Sequence, residues 1–197
     1  MRVVALTGSV AAGKSTVGAL FREWGATMID ADVLVRELQR PGEPVFIAMV
    51  DAFGSDVLDA SGQLDRAAMR RRILNDPTAR RRLEAIVHPA LELRRRALID
   101  SARARGDQLV IADIPLLFEA ADPSAYDGVI VVDSPVTERR RRLVEDRHYP
   151  PVEADQMIAA QMPATEKRAR ATWIIDNDGD RETLARRVRE VWNELAR

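Results

Sequence analysis

Cysteine is absent from the 197 residues, which excludes disulfides, zinc–thiolate sites, iron–sulfur clusters and a cysteine nucleophile. Histidine occurs only at His88 and His148, without metal-ligand spacing, so no histidine metal site is expected. Aromatic residues make up 5% of the chain, too little for base-stacking platforms or aromatic ligand cages. Neither sign of charge is in excess. The 30 Lys+Arg face 31 Asp+Glu for a net charge of -1, whereas a dedicated nucleic-acid binder usually carries a basic surplus. No run approaches the ~20 apolar residues of a membrane-spanning helix. The first residues lack the apolar run and cleavage site of a signal peptide. The expectation is a cytoplasmic protein with neither nucleic acid nor membrane as partner.

Lysine is also scarce. Lys14 and Lys167 are its only occurrences among 30 basic residues. A lysine at position 14 is either chance or a place that needs a compact point charge on a flexible stem, which arginine does not supply. What is plentiful fits a packed domain. The chain is 46% hydrophobic and 31% charged, and its length suits one domain with inserted lobes.

Residues 2–7 form a short apolar run that stops at Gly8, the pattern of a buried parallel strand. After a small-residue loop, Val17, Leu20, Phe21 and Trp24 have helical spacing, and Gly25 is a natural stop. Residues 26–29 predict a second strand ended by Asp30, completing a βαβ unit. From about 33 to 105 helical periods dominate, at 33–40, 44–53, 65–74, 77–86 and 89–105, with Asp65 and Asp76 as caps. Strands return at 109–112, 128–132 and 173–175, ending at Asp113, Asp133 and Asp176. Helical sequence fills 135–147, 152–161, 164–170 and 181–196. The expected fold is three-layer α/β/α with a five-stranded parallel sheet. Its core covers about 1–32 and 107–197, with a helical lobe inserted at about 33–106.

Gly8-Ser9-Val10-Ala11-Ala12-Gly13-Lys14-Ser15-Thr16 fits G-x-x-x-x-G-K-[ST] between a strand and a helix. Such a loop turns backbone N–H groups around phosphate oxygens, and the helix N-terminus adds positive potential. The pattern predicts a nucleoside triphosphate with Mg²⁺. Ala11, Ala12 and Gly13 lie in the cradle. Lys14 reaches the β/γ-phosphates, Ser15 the metal, and Thr16 the α-phosphate. Asp30-Ala31-Asp32 closes the second strand, where ends face the ligand crevice. If the strand persists, Asp30 and Asp32 share a side; if a helix begins at Asp32, one of them is a cap. Asp113, closing an apolar strand, resembles a carboxylate that orients Mg²⁺, though an ordinary strand-end aspartate reads the same way. Residues Ile114-Pro115-Leu116-Leu117-Phe118-Glu119 read as core or as a ligand wall, with core favoured from sequence alone. Arg139–Arg142 and Arg147 stand on a helix and its following loop. Most such arginines are solvated surface, but phosphoryl transfer needs cations over the moving group.

In order along the chain, these motifs resemble the dephospho-CoA kinase family. The likeness rests on Thr7-Gly8 through Thr16, Ile29-Asp30-Ala31-Asp32, Arg40-Pro41-Gly42 and His88-Pro89. It continues through Ile114–Glu119, Ala160-Gln161 and Ile175-Asp176-Asn177-Asp178-Gly179. The phosphate loop is generic, whereas the ordered set is specific. The resemblance implies ATP-dependent phosphorylation of the ribose 3′-hydroxyl of dephospho-CoA, the last step of coenzyme A synthesis. It also implies a CoA-binding lobe and a lid at about 138–165. Asp32 becomes the base or hydroxyl-orienting residue. His88, Pro115, Leu116, Leu117, Phe118 and Glu119 line the acceptor pocket, Arg140 and Arg147 are lid cations, and Asn177 lies near the adenine. Two departures stand out. Ser9 and Ala11 occupy positions where the family has glycine, which preserves the cradle only if neither needs φ > 0. Asp146 stands where the family lid has arginine, with Arg147 next to it.

Other classes fit less well. A kinase for another nucleotide shares the loop, and an acceptor panel separates the two. GTP-reading switches carry an Asn/Thr-Lys-x-Asp segment, and neither lysine lies in one. Nucleic-acid binding rests on arginine runs that nearby acids balance.

Overall fold

The computed structural model of the chain describes residues 1–74 and 76–196; Arg197, the last residue of the expected core, lies outside them. The chain forms two compact units. One comprises Met1–Asp30 with Ser101–Arg197, the other Ala31–Asp100.

In the first unit, five strands among the described residues form one parallel sheet in the order β2-β3-β1-β4-β5. They are β1 (Arg2–Gly8), β2 (Thr27–Asp30), β3 (Leu109–Asp113), β4 (Val129–Asp133) and β5 (Trp173–Asp176). Each strand predicted from sequence is present, within a residue or two. The apolar runs carry the reason. Val4, Leu6, Ile111, Ile130, Val132 and Ile175 pack on one side of the sheet against α1 (Lys14–Glu23) and α10 (Arg181–Leu195). Alternate residues Ala5, Val110, Ala112 and Val131 are equally buried, so both faces are covered and the strands read as near-continuous hydrophobic runs. β1 is central. The chain leaves it toward β3 and β2 on one side and toward β4 and β5 on the other. That reversal puts a crevice at the carboxyl end of β1, where Gly8 begins the phosphate loop.

The second unit is helical: α2 (Ala31–Leu38), α3 (Pro44–Phe53), α4 (Arg66–Leu74) and most of α5 (Pro77–Arg105). Its own core gathers Val45, Met49, Phe53, Val57, Met69, Ala79 and Val87. Asp65 and Asp76 cap as expected. Each accepts two backbone N–H bonds in the first turn of the following helix. One expectation is corrected. The periods at 77–86 and 89–105 belong to a single helix, with Pro89 inside it. A proline costs about 3 kcal/mol in a helix interior. Leu83, Ile86, Val87 and Ala90 pack into the same core on both sides of it and hold the turns in line.

Beyond β3 come α6 (Leu117–Ala120), α7 (Val136–Arg141), α8 (Pro151–Ala159) and α9 (Ala164–Ala169). The single helix expected over 135–147 is α-helical only to Arg141. Residues Arg142–Asp146 form a π-helical turn, a local widening that recurs at functional sites. No helix among the described residues is long and apolar enough to cross a membrane.

Candidate active site

The phosphate loop leaves β1 at Gly8, where a side chain is forbidden by packing. A Cβ there would stand 2.5 Å from the Val132 carbonyl oxygen. The loop closes at Gly13, with φ 97° and a would-be Cβ 2.1 Å from Asn177 Nδ2. Both motif glycines are therefore required by geometry. Ala11 is the surprise: its φ is 57°, the left-handed region. The condition attached to the glycine replacements is thus met at position 9, which keeps negative φ, and not at position 11. A left-handed alanine costs about 1–2 kcal/mol. Packing helps to hold it there, since Ala11 is buried with Leu143 and Ala154, and Val10, Val144 and Met157 lie beside them.

Hydrogen bonds fix the loop further. Val10 N–H donates to Gln161 Oε1 at 2.7 Å. Arg142 Nη1 donates to the Ala11 carbonyl at 3.1 Å. Asn177 Nδ2 donates to the Ala12 carbonyl at 2.8 Å. Three consecutive residues of the cradle are thus each tied to a side chain from another part of the fold. These bonds hold the loop in shape and also engage the N–H groups of Val10 and of Ala12, which donates to the Ser9 carbonyl at 3.0 Å, so an anion would be met by other N–H groups of the loop. No side chain caps α1, and its first turn holds no acidic residue, so the helix N-terminus keeps its positive potential.

Lys14 opens α1, and its ammonium forms an ion pair with Asp113 at the end of β3. Asp30 is in register with Asp113 across the β2–β3 ladder. Two carboxylates and one lysine therefore collect at the carboxyl ends of adjacent strands. Ser15 and Thr16 follow in the exposed first turn of α1. A cavity of about 370 Å³ borders Gly13, Ser15 and Thr16, with Arg142, Arg147 and Asn177 around it.

The arginine run resolves residue by residue. Arg139 is buried, with Nε donating to the Ser134 carbonyl at 3.0 Å; burial lowers its pKa, partly countered by Asp133. Arg140 turns to Asp155, with Nε 2.7 Å from Oδ1, and that hydrogen bond raises its pKa. Arg141 pairs with Glu138 and Glu145. Arg142 alone of the four reaches the phosphate loop. The sequence offered Arg139–Arg142 and Arg147 together as candidate cations, and the family resemblance singled out Arg140 and Arg147 among them rather than Arg142. Nothing in the run marks Arg142 out; the π-helical turn that begins there is a feature of the fold.

Asn177 is 8% exposed. It braces the loop through its side chain, while its carbonyl accepts from Ser134 Oγ at 2.8 Å and Arg142 Nη2 at 3.2 Å. Pro115 is fixed through its carbonyl, which accepts from Thr7 Oγ1 at 3.2 Å. Between Pro115 and Glu119 the chain divides its roles. Leu117 is fully buried, whereas Leu116 is 45% exposed. Asp32 and His88 belong to the helical unit. Asp32 is exposed in the first turn of α2, and His88 is exposed on α5. β2 ends at Asp30 and α2 starts at Ala31, so strand alternation does not put Asp30 and Asp32 on one side.

Comparison with known proteins gives the family and supports the fold. Residues 2–183 match the family model described as dephospho-CoA kinase. The dephospho-CoA kinase of Anaeromyxobacter dehalogenans is 43% identical over 195 residues, covering 99% of this chain and 92% of the relative. That of Corynebacterium diphtheriae is 41% identical over 196 residues, covering 100% and 98%. Among solved structures, TT1252 from Thermus thermophilus has a TM-score of 0.82 at 35% identity, covering 98% of this chain and 97% of that one. A dephospho-CoA kinase from Campylobacter jejuni, at 20% identity, shares the fold with a TM-score of 0.66, covering 98% and 97%. With a phosphate loop of this construction and these relatives over nearly its whole length, the chain belongs to the dephospho-CoA kinase family, which phosphorylates dephospho-CoA to coenzyme A in the final step of coenzyme A biosynthesis.

Proposed function

We propose that this chain carries out that transfer from ATP with the following division of labour. The braced cradle from Gly8 to Thr16 binds the triphosphate through backbone N–H groups and the α1 N-terminus. Lys14 exchanges its Asp113 partner for β/γ-phosphate oxygens, and the exchange keeps its charge compensated throughout. Arg142 and Arg147, bordering the same cavity, neutralise negative charge that spreads over the moving phosphoryl group. Asn177 holds the loop at the nucleotide side. The observation that carries this reading is the Lys14–Asp113 pair beside a loop whose carbonyls are fixed from outside.

The residues present suit Mg²⁺. That ion takes hard oxygen donors, usually one or two from protein with the rest from phosphates and water. The Ser15 hydroxyl and the Asp113 carboxylate supply that number and that chemistry. When bound, Mg²⁺ would add positive charge on the phosphate oxygens.

On the acceptor side, Asp32 accepts or orients the proton of the ribose 3′-hydroxyl. His88 and the Pro115–Glu119 segment contact dephospho-CoA, and residues 138–165 act as the lid, an assignment supported by the family resemblance. General-base help contributes about 10²–10⁴-fold. Asp32→Asn is therefore expected to lower kcat by about a hundredfold or more, with ATP affinity, read by titration calorimetry, within about twofold. Unchanged turnover in a variant that binds ATP normally would remove Asp32 from this role.

A further inference from the structure

The second lysine of the chain is fully buried. Lys167 Nζ lies 2.8 Å from Glu119 Oε1, an approach that satisfies charge without hydrogen-bond alignment. The Glu119 side chain is 23% exposed, so the buried partner is the ammonium. A buried charge is retained only with a partner, and removing one partner strands the other. Lys167 therefore demands that Glu119 stay where it is. Residues flanking α9 on both sides grip the same segment elsewhere. The Arg170 guanidinium lies 5.7 Å from the centre of the Phe118 ring, and Met162 N–H, just before α9, donates to Glu119 Oε1 at 3.3 Å. One residue earlier, Gln161 takes the Val10 N–H of the phosphate loop. Residues 161–170 thus hold the phosphate loop at one end and Phe118-Glu119 at the other. In a chain that otherwise uses arginine, a compact ammonium is what fits this enclosed position.

We propose that Lys167 is a positioning residue for the acceptor: through Glu119 it sets the Leu116–Glu119 segment against the phosphate loop, so that dephospho-CoA is presented in register with the nucleotide. This rests on the reading that Leu116–Glu119 contacts dephospho-CoA, and the test separates the two. Removing both charges together avoids stranding either, so Lys167→Met/Glu119→Gln is one variant, and Lys167→Met alone, which keeps the partly exposed acceptor-side Glu119, must show the same loss for the positioning role to stand. Leu116→Ala, at an exposed position on the same segment, tests the contact itself. Steady-state kinetics are measured for both substrates, together with acceptor-free ATP hydrolysis and the thermal midpoint.

Small misplacements of a reactant cost up to about a hundredfold in rate. The double variant is expected to fold and to lose about ten- to a hundredfold in kcat/KM for dephospho-CoA, with KM for ATP and acceptor-free hydrolysis within about twofold. Leu116→Ala is expected to lower the same acceptor parameter. If Leu116→Ala lowers it and the double variant does not, the positioning role is wrong and the contact reading stands. If neither lowers it, the contact reading fails and the proposal with it. A double variant that is unfolded, or that loses ATP and acceptor parameters equally, makes Lys167 a core residue only and overturns the proposal.

Discussion

At the scale of single residues, Ala11 shows how a motif tolerates a substitution that its backbone resists. Its left-handed φ costs about 1–2 kcal/mol. Ala11→Gly would remove that strain, yet it loses a buried methyl worth about 0.8 kcal/mol and gains unfolded-state entropy worth about 0.4–1 kcal/mol. The terms nearly cancel, so the expected change in unfolding free energy is within about 0.5 kcal/mol. Ala12 is the internal control. It is equally buried but lacks positive φ, so Ala12→Gly loses about 1–2 kcal/mol with nothing in return. Urea unfolding of the two variants reads the difference directly, and equal losses would contradict the strain at position 11. The arginine run makes a related point. Four consecutive arginines look alike in sequence, yet they face the interior, Asp155, helix-surface acids and the phosphate loop in turn. Successive residues of α7 point about 100° apart, which divides Arg139, Arg140 and Arg141, and π winding begins at Arg142; no composition rule announces either.

At the scale of elements, the ends of helices and turns carry much of the polar organisation. Asp76 accepts from Ala79 and Thr78 N–H at the start of α5, and Asp180 accepts from Thr183 N–H at the start of α10. These bonds hold both carboxyls below the usual carboxylate range. Asp107 is lowered chiefly by the Thr27 hydroxyl and then Arg105, and Asp178 by Arg187. A carboxyl lowered in the folded state contributes stability above its unfolded pKa of about 3.9 and loses it as pH falls through the folded value. The urea midpoint is therefore expected to stay level on these groups from pH 7 to about 5 and to fall below about 4. Asp180→Asn, which still caps, should make that acid decline shallower while leaving the neutral midpoint near wild type. A decline as steep as wild type would show that the Asp180 carboxylate contributes nothing there. The caps at Asp65 and Asp76 were legible because capping is local chemistry. The continuity of α5 through Pro89 was not, because burial of Leu83, Ile86, Val87 and Ala90 outweighs a local breaker.

At the scale of the whole molecule, legibility follows the range of the interactions. The strands could be read because sheets covered on both faces demand apolar runs, and the phosphate loop because nine consecutive residues contain its chemistry. The braces of that loop were hidden. Arg142, Gln161 and Asn177 lie 131, 151 and 165 residues from the groups they hold, and nothing local to them names the partner. Gln161 entered the sequence reading only as part of a family motif, and Lys167 only as a rare residue type. The central claim is that this loop, with Lys14 at its end, serves as the donor site for phosphorylation of dephospho-CoA. The most direct measurement is ADP release with ATP·Mg²⁺, with and without dephospho-CoA, run on the wild-type chain and on Lys14→Ala. Coenzyme A is identified by mass, and folding is checked by circular dichroism. The account predicts release that depends on dephospho-CoA and yields coenzyme A, lost by at least about a hundredfold in a folded Lys14→Ala. Near-normal turnover in that variant, or wild-type release that ignores dephospho-CoA, would contradict it.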